Sequence, residues 1–201
     1  GYAQESRWLG DVYKRQVTNL AEIDESMFLI SKCFGEVLEE GFKVKKPLIG
    51  VMIEVPAAVY IARDIARRVD FLSVGSNDLI QYMLAVDRNN AQVAELFQEF
   101  HPAVLLSLES IAVAAKAEGK SVGVCGEMAG DANYTKLLLG LGLKSFSMHP
   151  SAIPEIKNII INSNIKNLKS LTRRIINCDS KTAKEKIEKA GGQITVKNQS
   201  K

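Results

Sequence analysis

The hydrophobic positions change period several times along this chain, and the changes divide it into short alternating elements. After a polar turn at Thr18-Asn19, apolar residues recur near every 3.6 positions at Ile23, Met27, Ile30, Phe34, Val37 and Leu38. That spacing predicts an amphipathic helix over 21–40, closed by Gly41. The run LIGVMIE at 48–54 is nearly all apolar, as suits a strand buried on both faces. Pro56 fits the first turn of a following helix that ends near Arg68. A second buried strand, DFLSVG, covers 70–75, and Asn77-Asp78 begin a helical turn towards Tyr82. Residues 87–100 are polar with short helical pieces, and His101-Pro102 open a long helix that runs to Glu118 and stops at Gly119. A third strand spans 121–127, a helix about 133–139, a fourth strand 144–148, and a helix 156–161. The stretches KNLKSLTRRII and TAKEKIEKA predict further helix in a basic tail, 166–201.

Residues 1–16 carry no clear period. They are expected to be a non-native or truncated leader and are left out of the predicted fold. What remains is β-α-β-α-β-α-β-α, with compact repeating units. Such units suit part of a (β/α)8 barrel better than a doubly wound sheet, and no glycine fingerprint for a dinucleotide follows any strand. The fold expected is therefore α/β, an incomplete TIM barrel, with its main domain over 17–165.

Composition narrows the function classes. An apolar fraction of 46 % suits a globular domain, and no uncharged apolar stretch is long enough for a transmembrane helix. Cys33, Cys125 and Cys178 have neither metal-like nor disulfide-like spacing, which suggests a reducing, cytoplasmic setting. The net charge of +3 hides a division: residues 1–154 hold 15 Lys/Arg against 19 Asp/Glu, and residues 155–201 hold 11 against 4. The basic tail contains no aromatic residue to stack on a base, so a solvated helical end is the simpler reading than a nucleic-acid arm.

In a barrel, chemistry collects at the carboxyl ends of the strands. Here those ends read IEVP, SVGSNDL and CGEMAGD, each with polar residues that a plain core would not take. Glu54 is a candidate metal ligand or a carboxylate facing the next helix N-terminus. Asp78 is a candidate second ligand, since two carboxylates on adjacent strand ends can share Mg²⁺; Ser76-Asn77-Asp78 also reads as a helix start. Gly75 allows close backbone approach to a ligand. Cys125 is either a proton donor at the mouth or a small buried hydrophobe. Arg88 is a candidate anion clamp or a surface charge. His101 and His149 read as ordinary helix-start and loop histidines.

The stretch VDFLSVGSNDLIQYMLAVDRNN at 69–90 resembles the signature of the phosphoenolpyruvate-utilising enzymes, and within them enzyme I of the phosphotransferase system, the phosphoenolpyruvate–protein phosphotransferases. GVMIEVPAAV (50–59), GVCGEMAGD (123–131) and SMHPSAIPEIK (147–157) match the neighbouring blocks in order. The resemblance implies a (β/α)8 barrel that forms a homodimer and uses Mg²⁺. It implies that Glu54 and Asp78 hold the metal, and that Asn77 and Arg88 hold the phosphoryl group. Gly75 and Ser76 then line the substrate, and Cys125 protonates the enolate carbon of pyruvate. It also implies an acceptor histidine on a separate N-terminal domain, from which the phosphoryl group passes to a phosphocarrier protein. Neither His101 nor His149 sits in that histidine's motif. Pyruvate phosphate dikinase and phosphoenolpyruvate synthase share the site chemistry and rank lower, because RNN and HPAVL after the signature look more like enzyme I. A non-catalytic dimerisation or interaction domain is the alternative of a different class.

Overall fold

A computed structural model describes residues 11–176 together with 178, 182, 185 and 186. Its centre is a parallel sheet of five strands: β1 (Asp11–Lys14), β2 (Leu48–Ile53), β3 (Phe71–Gly75), β4 (Ser121–Cys125) and β5 (Ser145–Ser147). The strands lie side by side in chain order, β1-β2-β3-β4-β5, and every pairing is parallel. A doubly wound sheet reverses strand order at a switch point, whereas successive parallel neighbours are the arrangement of a barrel wall. The fold is thus α/β, an open arc of TIM-barrel type, with five strands among the described residues where a closed barrel has eight.

The apolar runs explain the layering. In β2, Ile49, Val51, Met52 and Ile53 are all buried, because one face looks to the barrel interior and the other to helices. The outer layer holds α1 (Leu20–Glu39), α2 (Pro56–Tyr60), α3 (Ala62–Ala66), α4 (Ser76–Leu84), α5 (Pro102–Ala117), α6 (Glu127–Gly130), α7 (Ala132–Leu141), α8 (Ile153–Ile161) and α9 (Ile165–Ile176). Single-turn 3₁₀ segments lie at Ala94–Leu96 and Pro150–Ala152. The long helix α5 supplies the centre of the core with Val104, Leu105, Leu108, Ile111 and Ala115. At the start of α1, Asn19 accepts from the Glu22 N–H, and Glu22 returns bonds to the Thr18 N–H and hydroxyl at 2.9 and 3.0 Å.

Four features depart from the sequence reading. The segment 1–16, set aside from the fold, contains β1, whose residues Asp11 to Lys14 pair with Leu48 to Val51. A four-residue edge strand with half-exposed Val12 and Tyr13 is too short to show a period. The helix expected over 57–68 is interrupted at Ile61, whose φ of −107° and ψ of 15° lie in the bridge region. The third strand stops at Cys125, two residues earlier than predicted, because Gly126 turns the chain at φ +104° and α6 starts at once. Finally, the first part of the tail is docked: α9 buries Leu168, Thr172, Ile175 and Ile176 and packs on α7. Most of the TAKEKIEKA stretch lies outside the described residues.

Candidate functional site

Parallel strands end at a common edge, so the register decides which residues meet. Ile53 pairs with Val74, and Gly75 pairs with Cys125, which in turn pairs with Ser147. Glu54, Gly75 and Cys125 therefore stand on one rung at the carboxyl ends of β2, β3 and β4, and α4 begins on the same level with Ser76, Asn77 and Asp78.

Glu54 is 1 % exposed. Its Oε1 accepts from Arg15 Nη2 at 2.9 Å and from Arg15 Nε at 3.2 Å, and its Oε2 accepts from the backbone N–H of Gln16 at 3.1 Å. The same Nη2 of Arg15 donates to Asp78 Oδ2 at 3.2 Å. Both carboxylates thus converge on one cation, and the pairing holds the guanidinium even more firmly protonated than usual, chiefly through its bond to Glu54. Gln16 delivers its N–H from a left-handed conformation at φ 53°, rare for a residue with a side chain. Among the described residues, no three His, Cys, Asp or Glu side chains gather as a metal cluster. Two carboxylates nevertheless suit Mg²⁺, which keeps several waters and takes its remaining oxygens from substrate. Here the two carboxylates reach a single point, the Nη2 of Arg15.

The start of α4 is not capped by its own side chains. Ser76 is buried and donates to the carbonyl of Cys125 at 2.8 Å, tying β3 to β4. Asn77 Oδ1 accepts from the Glu127 N–H at 3.1 Å and so holds the entry to α6. Gly126 makes this approach possible, since a β-carbon there would meet Ser76 Oγ and stand 2.9 Å from Asn77 Oδ1. Arg88, following α4, reaches to within 3.6 Å of Glu127 Oε1, which brings it to the same end of the sheet.

Cys125 is half-buried, with Sγ 3.4 Å from the Val74 carbonyl and 3.9 Å from Met52 Sδ. Burial pushes its thiol up from the ordinary range; a hydrogen bond with Ser73 opposes the shift, and the charge of Glu54 adds to it. The group is a protonated thiol at neutral pH, able to give a proton rather than to attack. Nearby, Tyr134 donates to Glu99 Oε2 and stacks on Phe100 with centroids 4.8 Å apart. Burial raises both the Glu99 carboxyl and the Tyr134 phenol above their ordinary values.

The two histidines serve as helix starts. His101 Nδ1 accepts from the Ala103 N–H at 3.1 Å, and His149 Nδ1 accepts from the Ser151 N–H at 3.4 Å. Arg15, Gln16, Gly126 and the Glu99–Tyr134 pair escaped the sequence reading. Only Gly126 carried a local signal, a glycine between a strand and an acidic helix start; Arg15 and Gln16 sat in the excluded leader, and Glu99 and Tyr134 are 35 positions apart.

Comparisons with known proteins bear on this geometry. Residues 15–165 match the family described as PEP-utilising enzyme, PEP-binding domain. A Salmonella typhimurium protein named phosphoenolpyruvate-dependent phosphotransferase system is 41 % identical over 167 residues, covering 83 % of this chain and 22 % of its own length. The phosphoenolpyruvate-protein phosphotransferases of Cupriavidus necator and Haemophilus influenzae are each 43 % identical, over 80 % and 77 % of this chain. The chain spans only 28 % and 27 % of their lengths. A crystal structure of a citrate lyase from Burkholderia xenovorans matches with a TM-score of 0.54 at 14 % identity, over 92 % of this chain and 65 % of that one, a likeness of fold alone. With three quarters of its residues inside the family match, the chain belongs to the family described as PEP-utilising enzyme, PEP-binding domain.

Proposed function

We propose that this chain is the substrate-binding part of a phosphoenolpyruvate–protein phosphotransferase. The observation that carries the reading is the convergence of Glu54 and Asp78 on a single cation, one rung from the Cys125 thiol. In this reading Glu54 and Asp78 hold Mg²⁺, which when bound offsets the charge of the substrate's oxygens. Arg88 and Asn77 hold the phosphoryl group, and Gly75 lets the substrate approach the backbone. Ser76 keeps a place in the substrate-lining loop as a brace, its hydroxyl already engaged by Cys125. The P–O bond to the enol oxygen breaks as the phosphoryl group passes to a histidine nitrogen outside this chain. The enolate then takes the Cys125 proton at its methylene carbon, giving pyruvate, and solvent returns a proton to the sulfur. A raised thiol supports that role, because the proton is present when the carbanion needs it.

In this reading the acceptor histidine lies on a separate N-terminal domain of the enzyme, from which the phosphoryl group passes to a phosphocarrier protein, a separate partner. The engagement of His101 and His149 as helix caps supports an acceptor elsewhere. A homodimer is supported by α1, which leaves Phe28, Leu29 and Leu38 exposed. No helix among the described residues is long and apolar enough to cross a membrane, and with the sparse cysteines this favours a cytoplasmic enzyme. The relatives' phosphotransferase names favour this branch over the dikinase and synthase readings. In the full-length protein, Asp78→Ala is expected to abolish phosphoenolpyruvate-dependent autophosphorylation, measured with labelled substrate at limiting Mg²⁺. Full activity in that variant would exclude the assignment.

A further inference from the structure

We propose that Glu99 and Tyr134 are positioning residues for Arg88: their hydrogen bond fixes the far end of the 87–100 connection and so sets where Arg88 stands at the carboxyl edge of the sheet. The proposal rests on the reading of Arg88 as a holder of the phosphoryl group, and adds what holds Arg88.

Both ends of the connection reach one short stretch of chain. Arg88 Nη1 lies 3.6 Å from Glu127 Oε1 at the start of α6, and Glu99 Oε2 accepts from the hydroxyl of Tyr134 in α7. Phe100 stacks on the same tyrosine ring. Between Val86 and Phe97 no residue of the connection is buried, so hydrophobic burial does not set its course. A succession of turns does. The Asn90 N–H donates to the Asp87 carbonyl, Val93 to Asn90, Leu96 to Val93, Phe97 to Ala94 and His101 to Gln98, all at 2.9–3.1 Å. Asp87 Oδ1 and Asn90 Oδ1 accept from the Asn89 and Gln92 N–H groups at 2.9 and 3.0 Å. Backbone tied in this way passes the position of its far end back to Arg88 instead of absorbing it. The Tyr134 hydroxyl is the informative atom. A phenylalanine there would fill the same space against Phe100, and a buried phenol is costly unless its hydroxyl is bonded. The partner is a carboxylate carried by the connection itself, and its burial raises that carboxyl above its ordinary value, a cost that an exposed position would not incur.

The test is a double-mutant cycle in the full-length protein, read as the rate of autophosphorylation against the concentration of labelled phosphoenolpyruvate. Tyr134→Phe is expected to raise KM about fivefold, the weight of one ordinary hydrogen bond, and to leave kcat within about twofold. Arg88→Ala is expected to raise KM about thirtyfold, as loss of a charged hydrogen bond does. In the Arg88→Ala background, Tyr134→Phe is expected to add less than about twofold, because the group it positions is gone. Glu99→Ala is expected to match Tyr134→Phe, and Glu99→Gln, whose amide oxygen still accepts from the phenol, to restore KM to within about twofold of the parent. In the 201-residue chain, hydrogen exchange at the Asn90, Val93 and Leu96 amides is expected to be about fivefold faster in Tyr134→Phe, with the α5 amides unchanged. A merely structural role would lower kcat through loss of folded enzyme and would leave KM alone. That pattern, a KM in Tyr134→Phe equal to the parent's, full additivity with Arg88→Ala, no rescue by Glu99→Gln, or unchanged exchange would each overturn the proposal. Arg88→Ala separates the two levels. If it raises KM and Tyr134→Phe does not, only the positioning fails; if Arg88→Ala leaves KM unchanged, the reading of Arg88 fails and the proposal with it.

Discussion

The carboxylate arm of Glu54 lies across the α-carbon of Gly75, so close that a β-carbon on residue 75 would stand 2.6 Å from Glu54 Cγ and 2.7 Å from its Oε1. Glycine is needed here for space rather than for a special φ, since the backbone at Gly75 is at φ −84°. Gly75→Ala is therefore expected to push the Glu54 side chain off its partners, Arg15 and the Gln16 N–H. The cost in stability is expected to be about 1–3 kcal/mol, the range for overpacking a well-filled site. Chemical denaturation checks that figure, and loss of Mn²⁺ binding beyond what the instability explains checks the displacement.

Cys125 should be slow to alkylate. Its raised thiol keeps the proton through neutral pH, and Cys33, which is exposed, is expected to take iodoacetamide first. The linkage has a definite sign. A thiol whose folded value lies above its unfolded value binds more protons when folded, so its contribution to stability is complete below the ordinary thiol range. That contribution is lost as pH rises towards the raised folded value. Mass spectrometry of labelled peptides against time and pH gives the order of reaction; Cys125 labelled ahead of Cys33 at pH 7 would contradict the account.

Glu99 offers a second pH test. Burial raises its carboxyl, and the Tyr134 hydroxyl opposes the shift only in part. The folded chain holds this proton more tightly than the unfolded chain, so stability associated with Glu99 is present at acid pH and falls as pH rises through the raised value. Glu99→Gln does not titrate and can still accept from Tyr134 through its amide oxygen. The variant is expected to match the parent at low pH and to melt higher at pH 7. An advantage that shrinks as pH rises would refute the assignment.

Ala85 closes α4 in the left-handed conformation at φ 54°, its N–H reaching the Gln81 carbonyl, and the residue is exposed. This is a helix end at which glycine fits without strain. Ala85→Gly is expected to stabilise the chain by about 0.5–1 kcal/mol, or about 2–4 °C in Tm for each kcal/mol. A lower melting temperature would show that the strain is absorbed elsewhere.

How far the sequence reveals all this depends on where each signal resides. Buried parallel strands announce themselves: the runs read as strands over 48–54 and 121–127 contain β2 and β4, which end one and two residues earlier. The strand-end residues Glu54, Asp78 and Cys125 are legible because a polar side chain closing an apolar run is conspicuous, and the structure brings them to one edge. Asn77 and Arg88 lie at that edge too, joined to Glu127 through its N–H and its carboxylate. The contacts of Arg15 with Glu54 and Asp78 span 39 and 63 positions and issue from a segment too short for periodicity, so no local rule reaches them. The break at Ile61 leaves an apolar pattern that a single helix would share, and the docking of α9 depends on α7 being there to receive it.

The shared rung of Glu54, Gly75 and Cys125 makes the backbone ladder the ruler of the site. Neighbouring strands sit about 4.8 Å apart whatever their side chains, so the separations across the mouth are set by hydrogen bonds that substitution leaves intact. Length changes are another matter. One residue added or removed within β3 would offset Gly75 from Cys125 by a step and turn alternate side chains to the opposite face. Residues added to the 87–100 connection leave this rung in place, while the residue count inside β2, β3 and β4 decides whether Glu54, Gly75 and Cys125 share it.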